Sequence, residues 1–296
     1  MDQSSTPTLT TAIRSYLEAR RLDGYSPRTL YSYRRQLHHL ASALGKDIPV
    51  EYVHLEHLRT YLSGFTHLKT SSLANRVRVV KVFFKWLHEE EMLLRNPAVK
   101  LKEPRLPHRI PKALSIEEVE LLRDACESLL EHALVEFFFA TGCRVREIHG
   151  LDQDKLDWTR RSAIVLGKGN KEREVYFGAK AALWLRRYLD SRGDSSPALF
   201  VTDRRRAQSD GSLSRQRMSI SQMQRIFKRV AARCDLATRV TPHVLRHTLA
   251  TLLLNQDAPI AAVQSILGHA SPTTTQLYVH LSGASRQATY RRYFPQ

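Results

Sequence analysis

Two amphipathic helices are the clearest pattern in the first hundred residues. One, over 27–43, begins at Ser26-Pro27, a pair typical of a helix N-cap and first helical position. The other, over 71–88, repeats apolar residues at the spacing of one helix face: Leu73, Val77, Val80, Phe84 and Leu87. Shorter helices are predicted over 9–22 and 55–62. This part of the chain is therefore predicted to be an all-α helical bundle.

A proline-rich stretch follows this bundle. Pro104, Pro107 and Pro111 lie close together. Because proline cannot continue a helix, such a stretch favours an extended, semi-rigid connector. The predicted organisation has three parts: an N-terminal domain over 1–103, a linker over 104–113 and a C-terminal domain over 114–296.

Helices also dominate the predicted C-terminal domain. Ser115 and Glu118 have the spacing of a capping box at a helix start. An apolar helix is predicted over 133–140. Apolar periodicity predicts five more helices: about 179–191, 219–234, 242–254, 260–267 and a last one from Thr273.

A β-hairpin interrupts these helices. Its strands are predicted over 162–166 and 172–177, on either side of the turn Gly167-Lys168-Gly169-Asn170. A short strand is predicted over 199–202, and the polar, arginine-rich stretch 203–217 is predicted to be a mobile basic loop. The fold class is therefore mainly α, with a small antiparallel sheet in a mixed α+β C-terminal domain.

The positive charge of the chain indicates which kind of partner it binds. The 296 residues include 46 Lys and Arg against 29 Asp and Glu, a net charge of +17 with a pI near 10.1. A chain this basic favours a polyanionic partner such as nucleic acid. Predicted DNA contacts lie on the two amphipathic helices: Arg28, Arg34, Arg35, Arg76, Arg78, Lys81 and Lys85. The alternative is an ordinary solvated face, although charges of one sign repel unless an anion is near.

Cysteine usage and hydropathy indicate the compartment. Cys126, Cys143 and Cys234 are widely spaced and odd in number, which suggests neither a disulfide framework nor a zinc site. The N-terminal residues lack the apolar core of a signal peptide, and no run reaches the roughly 18 apolar residues of a membrane span. We expect a soluble cytoplasmic protein without a membrane partner.

The segment 241–247 carries three polar side chains on one helix face. His243, Arg246 and His247 are three and four residues apart. Two histidines at this spacing can bind zinc, but a zincin needs glutamate where Val244 stands, and a cationic arginine lies between the imidazoles. An anion bound between histidine and arginine is the better interpretation.

A second arginine follows the apolar helix over 133–140. Arg144 comes just after a glycine turn, and an unpaired buried guanidinium is very costly. Glu147, one turn further along, is a plausible partner that would fix its orientation. From this segment alone, a purely structural Arg144–Glu147 pair remains an alternative to ligand binding.

Five blocks in order make the pattern specific. They are ATGCRVRE with Arg144, GKGNKER with Lys168, TPHVLRHTLAT with His243 and Arg246, LGH with His269, and Tyr278 nine residues later. The whole sequence resembles the tyrosine recombinases, or phage integrase family, and within it the Xer-type site-specific recombinases.

The resemblance implies a fold and a reaction. It implies a SAM-like N-terminal bundle and a C-terminal catalytic domain whose Tyr278 attacks DNA, leaving a 3′-phosphotyrosine and a free 5′-hydroxyl. Arg144 and Arg246 would hold the phosphate and His269 would donate a further hydrogen bond. His243 would accept the tyrosine proton and Lys168 would protonate the leaving oxygen. No metal and no cofactor is expected.

The resemblance also implies partners. These are double-stranded DNA with inverted half-sites and a tetramer, either of this chain or with a second recombinase, acting through a Holliday junction to resolve DNA dimers. An integrase or resolvase of a phage, plasmid or transposon remains an alternative. Less favoured are a type IB topoisomerase and a DNA-binding protein without catalytic activity.

Overall fold

The computed structural model describes residues 6–106, 113–167, 171–207, 213–234, 236 and 240–268, without the side chains of 203–207 and 213–214. The chain forms two compact units, Met1–His108 and Arg109–Gln296. The bounds 104–113 for a linker stay a prediction, because residues 107–112 lie outside the described part. In the described ranges, no helix is both long and apolar enough to cross a membrane.

The first unit is a bundle of four α-helices over its described residues: α1 (Leu9–Leu22), α2 (Pro27–Leu44), α3 (Leu55–Ser63) and α4 (Thr70–Glu89). Helix α2 begins as its sequence predicts, because the Ser26 side chain accepts a hydrogen bond from the backbone N–H of Thr29 and Pro27 occupies the first turn. The four predicted helices are confirmed.

Aromatic rings fill the core of this bundle. Tyr16 of α1 packs edge to face against Phe83 and Trp86 of α4, with ring centroids 5.4 and 5.3 Å apart. Tyr16 and Phe83 are fully buried. Such pairs add to the free energy gained by burying their large apolar surfaces, so α1 and α4 are fixed against each other.

The second unit contains the remaining elements. Its helices are α5 (Ile116–Asp124), α6 (Leu129–Thr141), α7 (Val145–His149), α8 (Ala179–Asp190), α9 (Ile220–Arg233), α10 (Pro242–Asn255) and α11 (Ile260–Leu267). Its strands are β1 (Leu156–Asp157), β2 (Ser162–Leu166), β3 (Glu172–Tyr176), β4 (Val201–Ala207) and β5 (Leu213–Arg217).

Helix α6 is the centre of this unit. It packs against α8 and α10, and its Leu134, Phe137 and Phe138 are fully buried. The helix ends at Gly142, which adopts a left-handed conformation with a φ of 57°. A side chain there would overlap neighbouring leucines, because an added Cβ would lie 2.8 Å from Leu249. Glycine therefore ends α6 and lets the chain turn sharply into α7.

The hairpin of β2 and β3 is confirmed. The strands are antiparallel with Val165 opposite Arg173, and β1 adds a short third strand beside β2. Because side chains alternate along a strand, Arg173 shares the core-facing side of β3 with the buried Val175. An arginine is therefore directed toward the core.

The prediction of a basic loop over 203–217 is wrong for most of that stretch. Strands β4 and β5 pair with each other in an antiparallel ribbon, with an irregularity between Val201 and Arg205. Residues 208–212 lie outside the described part. The sequences of its strands, VTDRRRA and LSRQR, lack the alternation of apolar and polar residues that would predict strands.

Candidate active site

Two of the predicted site arginines meet at the C-terminal end of α11. Arg144 Nη2 donates to the carbonyl of Gly268 at 2.9 Å, and Arg246 Nη2 donates to the carbonyl of Leu267 at 2.6 Å. These arginines are far apart in sequence, on α10 and just before α7. The sequence gives only the order of these two arginines along the chain, whereas the structure shows that they meet at the end of α11.

Arg144 is oriented by Glu147, as predicted. Its Nη1 donates to Glu147 Oε1 at 2.8 Å, and its backbone N–H donates to Glu147 Oε2 at 2.7 Å. The arginine side chain is 33% exposed, whereas the glutamate side chain is 2% exposed. A buried carboxylate therefore fixes a guanidinium that still reaches solvent.

Arg246 is held more deeply. Its residue is 3% exposed, and Nη1 donates to the carbonyl of Gly142 at 2.7 Å. Together with the Leu267 carbonyl, this contact ties the end of α6 to the end of α11. Because two carbonyls match the planar fork of a guanidinium, a lysine could not replace both contacts.

Sequence reasoning missed a third arginine at this place. Arg173 Nη2 lies 2.8 Å from Glu147 Oε2, and its Nη1 donates to the carbonyl of Ile266 at 2.6 Å. Its side chain is 14% exposed. The available signal was a basic residue at a core-facing position of β3, which requires a buried partner.

The three arginines cap three successive carbonyls, the last two of α11 and that of Gly268, which follows the helix. The pairs are Arg173 with Ile266, Arg246 with Leu267 and Arg144 with Gly268. A helix C-terminus leaves its last carbonyls without helical partners and carries a partial negative charge. The guanidinium groups donate hydrogen bonds to these carbonyls and neutralise the partial negative charge, so the cluster stabilises the end of α11.

Glu147 is the buried anion of this cluster. Burial alone would raise its pKa, but hydrogen bonding and charge from Arg173, followed by hydrogen bonds from Arg144, hold the pKa below its ordinary value. The carboxylate therefore stays ionised at neutral pH. It offsets part of the repulsion between the neighbouring guanidinium groups.

His243 lies in the first turn of α10, one turn before Arg246. Thr241 caps this helix by accepting a hydrogen bond from the backbone N–H of Val244. Desolvation, then the positive charges of Arg246 and Arg144, lower the pKa of His243. The imidazole is therefore neutral at neutral pH and able to accept a proton.

His247 is the neighbouring ring on the same helix. It stacks on His243 with centroids 5.9 Å apart, and burial followed by His243 and Arg246 lowers its pKa to about 4. Among the described residues, no three His, Cys, Asp or Glu side chains are grouped as a metal site would require.

Lys168, His269 and Tyr278 lie outside the described residues. The chain that precedes two of them is described. The backbone N–H of Gly167 donates to the carbonyl of Lys171 at 2.8 Å, and a Cβ on Gly167 would lie 3.5 Å from Glu147 Oε1. The chain thus leads from the arginine cluster directly into Lys168, and from Gly268 into His269.

The seven predicted DNA contacts lie in the first unit, on α2 and α4. Arg34 and Arg35 are exposed and line different grooves. The groove of Arg34 also contains Arg14 and Arg21 of α1, and that of Arg35 contains Arg76 of α4. Basic residues therefore line both sides of α2.

Several α4 cations have partners inside the unit. Arg78 pairs with Glu103 at 2.6 Å and Lys85 with Glu89 at 3.3 Å. The Arg76 guanidinium lies 3.7 Å from the centroid of the Phe65 ring. On α4, the predicted DNA contacts Arg76, Arg78 and Lys85 would therefore have to exchange or share these partners to bind DNA.

Comparison with known proteins gives the family. Residues 112–284 match the phage integrase family, and residues 13–93 match the phage integrase N-terminal SAM-like domain. The chain belongs to the phage integrase family, as its motifs predicted. The predicted fold class, a SAM-like bundle followed by a mixed catalytic domain, is confirmed.

Relatives narrow the assignment. The chain is 36% identical to the tyrosine recombinase XerD of Ralstonia nicotianae, over 98% of this chain and 96% of the relative. It is 32% identical to the tyrosine recombinase XerC of Escherichia coli O1:K1, over 92% and 91%. The protein is a site-specific tyrosine recombinase, a DNA strand transferase of the kind predicted.

Solved structures show the same fold. A crystal structure of XerA recombinase matches with a TM-score of 0.55 and 27% identity, covering 97% of this chain and 98% of that one. A lambda integrase tetramer bound to a Holliday junction matches with a TM-score of 0.72 and 18% identity, covering 92% and 80%. At that identity the second likeness concerns the fold alone.

Proposed function

We propose that this recombinase cleaves double-stranded DNA by attack of Tyr278 on a phosphate, forming a 3′-phosphotyrosyl link and releasing a 5′-hydroxyl. The observation that supports it most is the meeting of Arg144 and Arg246 at the C-terminal end of α11. His243 lies one turn before Arg246 on α10, close enough for the charges of both arginines to lower its pKa. From the end of α11 the chain continues through His269 to Tyr278.

The arginines suit a phosphate in the transition state. A guanidinium has five N–H donors, and Arg144 uses one on each terminal nitrogen for Glu147 and Gly268. Its partly exposed side chain can therefore donate to the non-bridging oxygens. Arg246 supplies a second fixed cation, and His269 would add a further donor. Fixed positive charge where negative charge develops is a major source of catalysis.

Proton transfer needs an acid and a base. The hydroxyl of tyrosine has a pKa of about 10, so attack requires loss of its proton. His243, whose pKa is lowered, is the proposed acceptor. Lys168, which directly follows Gly167 in the sequence, would protonate the leaving 5′ oxygen. The phosphotyrosine keeps the bond energy, so rejoining would need neither a metal nor ATP.

For the biological role we propose resolution of DNA dimers, as its similarity to XerD and XerC suggests. The protein would bind inverted half-sites and act as a tetramer, of one chain or with a second recombinase, through a Holliday junction in the cytoplasm. A lambda integrase solved as a tetramer on a Holliday junction shares the fold. The basic charge of +17 suits such a partner.

A nicked suicide half-site tests the reaction. Wild-type protein in EDTA should form a covalent protein–DNA complex that survives denaturation, and Tyr278→Phe should form none. Adduct formation by Tyr278→Phe would exclude this nucleophile. A wild type that binds the site but never forms the adduct would exclude the proposed strand cleavage.

A further inference from the structure

Arg173 joins parts of the second unit that are distant in sequence. Its partner Glu147 is 26 residues away, and the Ile266 carbonyl is 93 residues away. Nη2 also lies 3.7 Å from the sulfur of Cys143. One side chain of β3 thus contacts α7, the turn before α7 and the end of α11.

The fit around Arg173 is tight at α11. Gly268 adopts a left-handed conformation with a φ of 64°, and an added Cβ would lie 2.6 Å from Arg173 Cδ. A side chain at this position would displace the arginine. The glycine that ends α11 therefore also leaves space for Arg173.

We infer that Arg173 is a positioning residue for strand cleavage, which holds Glu147 against Arg144 and fixes the end of α11 from which the chain runs to His269 and Tyr278. This inference rests on the proposed function, since it concerns the same reaction. Arg173 acts through Glu147 and the Ile266 carbonyl, not by touching the DNA.

The strongest argument is the shared carboxylate. Glu147 contacts Arg144 through Oε1 at 2.8 Å and Arg173 through Oε2 at 2.8 Å. Without Arg173, one oxygen of a buried carboxylate would lose its charged partner while burial continued to disfavour the anion. The glutamate would then protonate or move, and Arg144 would lose its fixed orientation.

A second buried arginine in the same unit provides a matched control. Arg192 also binds one carboxylate, that of Asp194 at 2.6 Å, and it donates to backbone carbonyls of Ser196, Ala198 and Leu199. All these partners lie within seven residues of it. Its role is to order one local turn, so its loss should reduce stability alone.

The experiment compares Arg173→Gln and Arg173→Lys with Arg192→Gln and Arg192→Lys in the full chain. Each variant is tested for thermal unfolding, half-site affinity and single-turnover cleavage of a suicide substrate at saturating DNA. For Arg173→Gln we expect a cleavage rate on the order of 10- to 100-fold lower, with affinity nearly unchanged. Arg173→Lys should recover part of the rate, and both Arg192 variants should cleave at nearly the wild-type rate.

The pH profile separates positioning from simple stability. Arg173 helps to hold the pKa of Glu147 low, so its removal should raise that pKa. Cleavage by Arg173→Gln should therefore fall at a higher pH on the acid side than cleavage by wild type. Arg192→Gln should keep the wild-type profile even if it unfolds at a lower temperature.

The outcomes distinguish this inference from the proposed function. If wild type forms the Tyr278 adduct and folded Arg173→Gln cleaves at the wild-type rate with the wild-type pH profile, the positioning role is wrong. Equal rate losses in the Arg173 and Arg192 variants would also overturn it, because they would indicate general destabilisation. Failure of wild type to form any adduct overturns the proposed function itself.

Discussion

The arginines of the two units are held in different ways. In the second unit, Arg246 is 3% exposed and its fork is fixed by the carbonyls of Gly142 and Leu267. In the first unit, Arg34 and Arg35 are exposed along surface grooves. Fixed cations suit a reaction in which charge must meet a defined geometry, whereas exposed cations suit attraction to a polyanion.

This contrast predicts the largest effect at Arg246. Arg246→Lys keeps the charge but cannot donate to both carbonyls, so single-turnover cleavage should fall about 100-fold or more. Arg35→Lys is the control in the first unit and should cleave at nearly the wild-type rate with saturating DNA. Equal rates for the two variants would remove the distinction between fixed and exposed arginines.

A pair of glycines sharpens the comparison. Gly268 and Gly24 both have positive φ, at 64° and 76°, but an added Cβ at Gly24 would contact nothing within 4 Å. Alanine at either position should cost about 1 kcal/mol or more through backbone strain. Gly268→Ala should in addition displace Arg173 and slow cleavage about 10-fold.

Thermal unfolding and single-turnover cleavage of Gly24→Ala and Gly268→Ala measure this difference. Similar destabilisation with a cleavage defect only in Gly268→Ala supports a tight packing requirement in the active site. Full cleavage activity in a folded Gly268→Ala would show that the contact with Arg173 does not matter for the reaction.

In the first unit the expected effects are on affinity. Arg35→Gln should weaken DNA binding and lower the salt dependence of the affinity by about one counterion, with little change in saturated cleavage. Arg78→Gln should do less, since Arg78 already pairs with Glu103 at 2.6 Å. Binding isotherms over a series of salt concentrations test both variants. An equal loss of affinity in the two would contradict the expectation that the ion pair with Glu103 makes Arg78 less available to DNA.

The smallest predicted effect is on stability near pH 6, where the lowered pKa of His247 changes the free energy of unfolding by about 1 kcal/mol. The pKa of His247 is lowered from 6.5 to about 4, so between these values the unfolded chain binds a proton that the folded chain does not. The contribution of His247 to the free energy of unfolding is therefore fully present above pH 6.5 and is lost as the pH decreases toward 4. His247→Gln should flatten that part of the unfolding profile, and an unchanged slope would contradict it.

The sequence predicts local structure better than long-range contacts. Ser26-Pro27 and the hairpin strands carry their own signals, because capping and strand pairing there depend on nearby residues. The ribbon of β4 and β5 was missed, since polar strands have no apolar alternation to reveal them. Likewise, no local pattern links Arg173 to a carbonyl 93 residues away.

For the site, the sequence predicts a set of residues in a given order, and Lys168, His269 and Tyr278 of that set stay predictions. It does not predict the contacts that bring Arg144 and Arg246 together. The pairing of Arg144 with Glu147, three residues further along, was predictable, because an arginine beside an apolar helix needs a partner of opposite charge. The capping of three successive carbonyls at the end of α11 by arginines from three elements is a property of the fold. It required the positions of α10, α11 and β3 in space.

The most direct test of the central claim is to identify the residue that becomes linked to DNA. Wild-type protein trapped on a suicide half-site would be digested with protease and nuclease, and the modified peptide sequenced by mass spectrometry. The account predicts a nucleotide joined through its 3′-phosphate to Tyr278, in the peptide that follows His269. Modification of another residue, or a covalent complex from Tyr278→Phe, would contradict it.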